Sequence, residues 1–125
     1  MSCLRILVVE DDLDMQFLIQ SVLSVDPRLE PCGKTTTATD AIALTLKMGP
    51  ALVILDHFID GEIMGLETAS MIKTAAPDVR IILFTTQDLS VEASKEPAID
   101  LYLPKTDLRK LLTAAQRLLG LEPLV

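Results

Sequence analysis

Ile6-Leu7-Val8-Val9-Glu10-Asp11-Asp12 is the stretch that decides how the rest of the chain is read. Its four apolar residues are mostly β-branched, too few to span a membrane or form a secretion-signal core, and read as a strand covered on both faces. Three acidic residues follow without a gap, so this strand carries carboxylates to one edge of its sheet. The pattern recurs: Ala51 to Leu55 ends in Asp56, and Ile81 to Phe84 ends in Thr85 and Thr86. A strand at Ile99 to Leu103 leads to Lys105, and Leu29 to Lys34, which contains Pro31, reads as an edge strand because proline cannot donate to a ladder.

Helical periods separate these strands. Met15, Leu18, Ile19, Val22 and Leu23 recur at three and four residues, Asp12 or Asp14 can cap the start, and Asp26-Pro27 stops the run. Thr37 and Asp40 have capping-box spacing ahead of Ala41, Ile42, Thr45 and Leu46, and Gly49-Pro50 ends that helix. Leu66, Ala69, Ile72, Lys73 and Ala76 form a third face, and Leu108, Leu111, Leu112, Ala115, Leu118 and Leu119 form the last. Between Gln87 and Pro97 only Leu89, Val91 and Ala93 are available for burial, which predicts a short, weakly anchored helix. Strand and helix alternate five times. The predicted fold is α/β, a doubly wound, five-stranded parallel sheet of the flavodoxin-like type, strand order 2-1-3-4-5.

The 125 residues, half of them hydrophobic, suit one domain over 1–125. A net charge of −7 repels phosphate backbones and anionic lipid, so direct nucleic-acid binding and membrane association are not expected, and a cytoplasmic protein is. Cys3 and Cys32 are too few and unpatterned for a disulfide framework or a zinc site and read as two small, half-buried thiols.

In doubly wound sheets ligands sit beyond the carboxyl ends of the strands. Glu10, Asp11, Asp12, Asp56, Thr85, Thr86 and Lys105 all fall there. If strands one and three are neighbours, their carboxylates crowd, and either raised pKa values or a hard cation relieves the repulsion; Mg²⁺ is the obvious candidate. A partly free aspartate could then attack a phosphoryl group while an ammonium and a hydroxyl hold the transferred oxygens. A nucleotide-binding domain would instead offer bare backbone N–H groups after strand one, where this chain has three carboxylates. An aspartyl phosphatase of the haloacid dehalogenase type should show Asp-x-Asp after the nucleophile strand, and position 58 is Phe.

Ile6 to Asp12, Leu55-Asp56, Phe84-Thr85 and Tyr102-Leu103-Pro104-Lys105 together resemble the receiver domain of two-component response regulators, over nearly the whole chain. The resemblance implies that Glu10, Asp11, Asp56 and the backbone carbonyl of Phe58 bind Mg²⁺. It implies that Asp56 accepts phosphoryl from a sensor histidine kinase or phosphotransfer protein, and that Thr85 and Lys105 sense it, with Tyr102 as an aromatic switch. The chain would act as a self-phosphorylating and self-dephosphorylating switch rather than a turnover enzyme. A downstream protein would be the partner, with a homodimer through the face formed by residues 87–119 as one option. A receiver-like interaction module with little phosphorylation is the rival reading. Its motive is the loop after Asp56, one residue longer than the usual pattern and with Asp60 in place of proline, and the Lys105-Thr106 step, expected trans. Asp12 is expected to serve as a helix cap, and His57 to pack or lie at the surface.

Overall fold

The computed structural model describes residues 3–59 and 63–124; Asp60, and with it the expected irregularity of that loop, lies outside them. The elements run β1 (Leu4–Val9), α1 (Leu13–Leu23), β2 (Leu29–Thr35), α2 (Ala38–Met48), β3 (Leu52–Leu55), α3 (Gly65–Ala75), β4 (Arg80–Thr85), α4 (Ser90–Ser94), β5 (Leu101–Pro104) and α5 (Leu108–Leu118). The strands form one parallel sheet ordered β2-β1-β3-β4-β5, the flavodoxin-like order read from the sequence.

Side chains alternate across the sheet, so one face of β1, β3 and β4 (Ile6, Val8, Ile54, Ile82, Phe84) packs with Ile19 and Leu23 of α1 and Leu111 and Ala115 of α5. The other face (Leu7, Val9, Val53, Leu55, Ile81) meets Ala41 of α2 and Ala69 and Ile72 of α3. Helix α4 contributes only Ala93, with Leu89 ahead of it, against Leu83. Its five residues confirm the short, thinly buried helix.

Caps follow the sequence closely. Asp12 caps α1 by accepting from the N–H groups of Asp14 and Met15, and Thr37 caps α2 by accepting from Asp40 N–H. Gly49 ends α2 at φ 59°, a left-handed conformation that glycine adopts without strain. Pro31 lies in the edge strand, where the β1–β2 register slips by one residue and Cys32 is the extra one. Three expectations need correction. Leu18 is 43% and Leu46 64% exposed, because each stands at the margin of its helix's apolar stripe, and Cys3 is exposed rather than half-buried. Among the described residues no peptide bond is cis, Lys105-Thr106 included, and no helix is long and apolar enough to cross a membrane.

Candidate functional site

Because β1 lies beside β3, Val9 pairs with Leu55, and the next N–H along β3, that of Asp56, donates to Val9 C=O at 3.0 Å. Glu10 is held on the other side, its N–H donating to Thr35 C=O at 3.0 Å. Two apolar strands in register thus bring two carboxylates to one edge, both almost entirely buried. Asp11 is exposed, yet ligand oxygens of Glu10, Asp11 and Asp56 lie within 4.8 Å of one another.

Lys105 enters from the end of β5. Its ammonium lies 2.9 Å from Asp56 Oδ2 and forms a second ion pair with Glu10. Burial alone would lower the Lys105 pKa, but hydrogen bonds and charge from Glu10 and Asp56 outweigh it and hold the ammonium above its usual value. Glu10 moves the other way. Its burial, reinforced by the neighbouring Asp56 charge and only partly opposed by Lys105, pushes its carboxyl up to about 7. One cation therefore serves two buried acids, and Asp56 Oδ1 is buried with no hydrogen-bond partner.

That bare oxygen tests whether a metal suits the site. A buried acceptor without a donor carries a desolvation cost until something positive meets it. The surrounding donors are carboxylate oxygens, the hard ligands that Mg²⁺ takes. The residues present fit the ion.

The remaining expected residues surround this centre. Register pairs Leu55 with Leu83 and Thr85 with Pro104, so Thr85 and Lys105 reach the same sheet edge as Asp56. Thr85 is fully buried, and its Oγ1 faces the Gln87 N–H at 3.4 Å rather than the carboxylates. Tyr102 is half-buried against Leu83, Leu89 and Ala93, and its hydroxyl donates to Gln87 C=O at 3.0 Å. Phe58 stands on the rim, 45% exposed, with the His57 ring edge-on to it at 5.1 Å.

Two contributors escaped the sequence reading. A Cβ on Gly65 would lie 2.3 Å from Asp56 O and 2.6 Å from His57 Cα, and its N–H donates to His57 C=O at 2.8 Å. Only glycine lets α3 begin against the backbone that carries Asp56, a contact no local pattern encodes. Gln16, buried on α1, donates from Nε2 to Glu10 C=O. Its signal was available as a polar residue three positions before Ile19, within the buried face.

The sequence profile described as response regulator receiver domain matches residues 6–116. The chain belongs to the response regulator receiver domain family. It is thereby a receiver domain of two-component signalling. Response regulator protein VraR of Staphylococcus aureus (strain NCTC 8325 / PS 47) is 27% identical over 116 residues, which cover 91% of this receiver and 55% of that protein. The receiver thus spans about half the length of the curated relatives it matches. Two of the solved structures that share its fold serve for comparison. A LuxR-family two-component response regulator from Aurantimonas sp. SI85-9A1 superposes with TM-score 0.87 at 24% identity, covering 95% of this chain and 86% of that one. A DNA-binding response regulator of the LuxR family from Staphylococcus aureus gives 0.83 at 21% identity, covering 93% and 98%. With a DNA-binding regulator among its neighbours, the expectation of no nucleic-acid contact rests on this receiver's charge alone.

Proposed function

We propose that this receiver takes a phosphoryl group from a histidine kinase, or from a phosphotransfer protein, onto Asp56 in a Mg²⁺-dependent step and thereby changes its contacts with a downstream protein. The observation that carries the reading is the unpartnered, buried Oδ1 of Asp56 beside Glu10, Asp11 and Lys105. Glu10, Asp11, Asp56 and the Phe58 carbonyl would hold Mg²⁺, which when bound offsets negative charge on the transferring phosphoryl oxygens. A carboxylate oxygen of Asp56 attacks phosphorus as the N–P bond of the donor phosphohistidine breaks. The imidazole nitrogen keeps the bonding pair and takes a proton from solvent. Lys105 already donates to Oδ2 at 2.9 Å, which holds the carboxylate in place and leaves Oδ1 without a protein donor. Water later cleaves the acyl phosphate, slowly, because the flanking Phe58 and Gln87 offer no general base.

Thr85 lies between this site and the face of α4, β5 and α5, and the loss of α4's few buried contacts would cost little. We assign the output to that face, residues 87–119, as a protein contact or a homodimer, in the cytoplasm and without direct contact to DNA. The last point follows from charge: at −7 the receiver has few cations to release counterions from a duplex.

The test is incubation with acetyl phosphate, with and without Mg²⁺, followed by intact mass. A single phosphoryl adduct that requires Mg²⁺ and vanishes in Asp56→Asn is expected. No adduct on the parent would favour an interaction module that is not phosphorylated, and turnover of generic phosphate esters would favour an aspartyl phosphatase.

A further inference from the structure

We propose that Gln16 is a positioning residue for the metal-binding turn; the role rests on the phosphoacceptor reading above. Helix α1 buries Gln16, Ile19 and Leu23 on one face, and the other two of these are aliphatic. Gln16 is only 2% exposed. Its Nε2 donates to Glu10 C=O at 2.5 Å, while its Oε1 is buried with no partner. Only the amide nitrogen can donate to a carbonyl, so this orientation is set by chemistry. An aliphatic residue would fill the same place without burying an unmatched acceptor, so packing alone gives no reason for the amide.

What the amide does is fix one peptide plane. Glu10 is fastened by its N–H to Thr35 C=O at 3.0 Å, by Oε2 accepting from Asp12 N–H at 3.3 Å, by its ion pair with Lys105, and by Gln16 at its carbonyl. The last of these holds the Glu10–Asp11 peptide, from which the Asp11 side chain departs. Asp11 is exposed and is brought within 4.8 Å of Glu10 and Asp56 by its backbone. Release of that plane lets Asp11 sample other directions, and an ion must then order it on binding.

Gln16→Met keeps the length of the side chain and removes the donor. Titration with Mg²⁺, followed by amide NMR well below the melting midpoint, should give an affinity about tenfold weaker than the parent's. The midpoint itself should stay within a few degrees of the parent's, because the unmatched Oε1 goes as the Glu10 carbonyl loses its donor. Equal affinity in parent and variant overturns this inference alone, with or without a change in midpoint. Absence of Mg²⁺ binding by the parent overturns the phosphoacceptor reading and this one with it. Should the variant not fold, the parent still decides: a slowly exchanging Gln16 side-chain amide proton close to the Asp11 N–H supports the clamp, and free exchange of that proton contradicts it.

Discussion

Three buried carboxylates are divided between opposite edges of the same sheet, and the two edges treat them in opposite ways. Asp26, ahead of β2, is fully buried and fully answered: it accepts from Arg28 N–H at 2.9 Å, from Arg28 Nε and Nη2 at 3.0 and 2.8 Å, and from Gln116 Nε2 at 3.0 Å. Arg28 continues to the carbonyl of Glu122 at 2.7 Å, so the set ties the α1–β2 turn to α5 and the segment after it. The Arg28 hydrogen bonds outweigh burial and hold the Asp26 carboxyl well below the usual carboxylate range. At the other edge two acids share one lysine, one carboxyl is raised rather than lowered, and one oxygen is bare. A saturated buried charge is complete as structure; an unsaturated one is complete only with a ligand.

The sharpest way to break this contrast is to neutralise each acid in turn. Asp56→Asn should lose acetyl-phosphate labelling entirely and fold normally. Asp26→Asn should keep labelling but lower the melting midpoint by about 5 °C or more, since it weakens a network that joins three parts of the chain. The reverse assignment of effects would show that the saturated cluster, not the bare one, is the chemical site.

Gly65→Ala probes how closely the unsaturated edge is built. The added methyl carbon falls 2.3 Å from Asp56 O, so the strand end must shift, and the initial labelling rate should fall roughly tenfold to a hundredfold. A rate within twofold of the parent's would mean that the edge yields without consequence. Phe58→Asn should give a smaller change, a several-fold faster loss of label after the donor is removed, because the exposed ring no longer covers the acyl phosphate. Equal or slower decay would take Phe58 off the list of shielding groups.

The smallest expected effect is one of pH. Glu10 sits at about 7 against an ordinary 4.5, so between those values the folded chain holds more protons than the unfolded one. The Glu10 contribution to metal-free stability therefore falls as pH rises from about 4.5 to about 7 and is level above that. Asp26, with its carboxyl lowered, acts in the opposite sense: its contribution is intact above the ordinary carboxylate range and is lost only in stronger acid. Between pH 5 and 8 denaturant midpoints should fall up to about pH 7 for the parent and stay flat for Glu10→Gln; equal slopes would mean that Glu10 is not the titrating group.

The bare edge was far more legible in the sequence than the saturated one. Glu10, Asp56, Thr85 and Lys105 each stand directly after an apolar strand, so parallel topology alone gathers them, and neighbouring strands one and three then crowd the acids. Asp26 read only as a helix stop: burial of its carboxylate depends on α5 and Gln116, ninety positions away, and without it Arg28 two residues on reads as an ordinary surface charge. Gln16 and Gly65 were missed for related reasons: one acts through a carbonyl on another element, the other through the absence of a side chain. Periodicity fixed each helix but not the margins of its buried stripe, which is why Leu18 and Leu46 proved exposed. The weak helix α4 was readable because so little around it could be buried.

Amide NMR during addition of Mg²⁺ and then beryllium fluoride, a mimic of the phosphoryl group, tests the contrast most directly. The predicted result is saturable shifts at Glu10, Asp11, Asp56 and Lys105 that spread through Thr85 into residues 87–110, with Asp26, Arg28 and Gln116 silent. Shifts at the Asp26 edge with none at Asp56 would contradict the account.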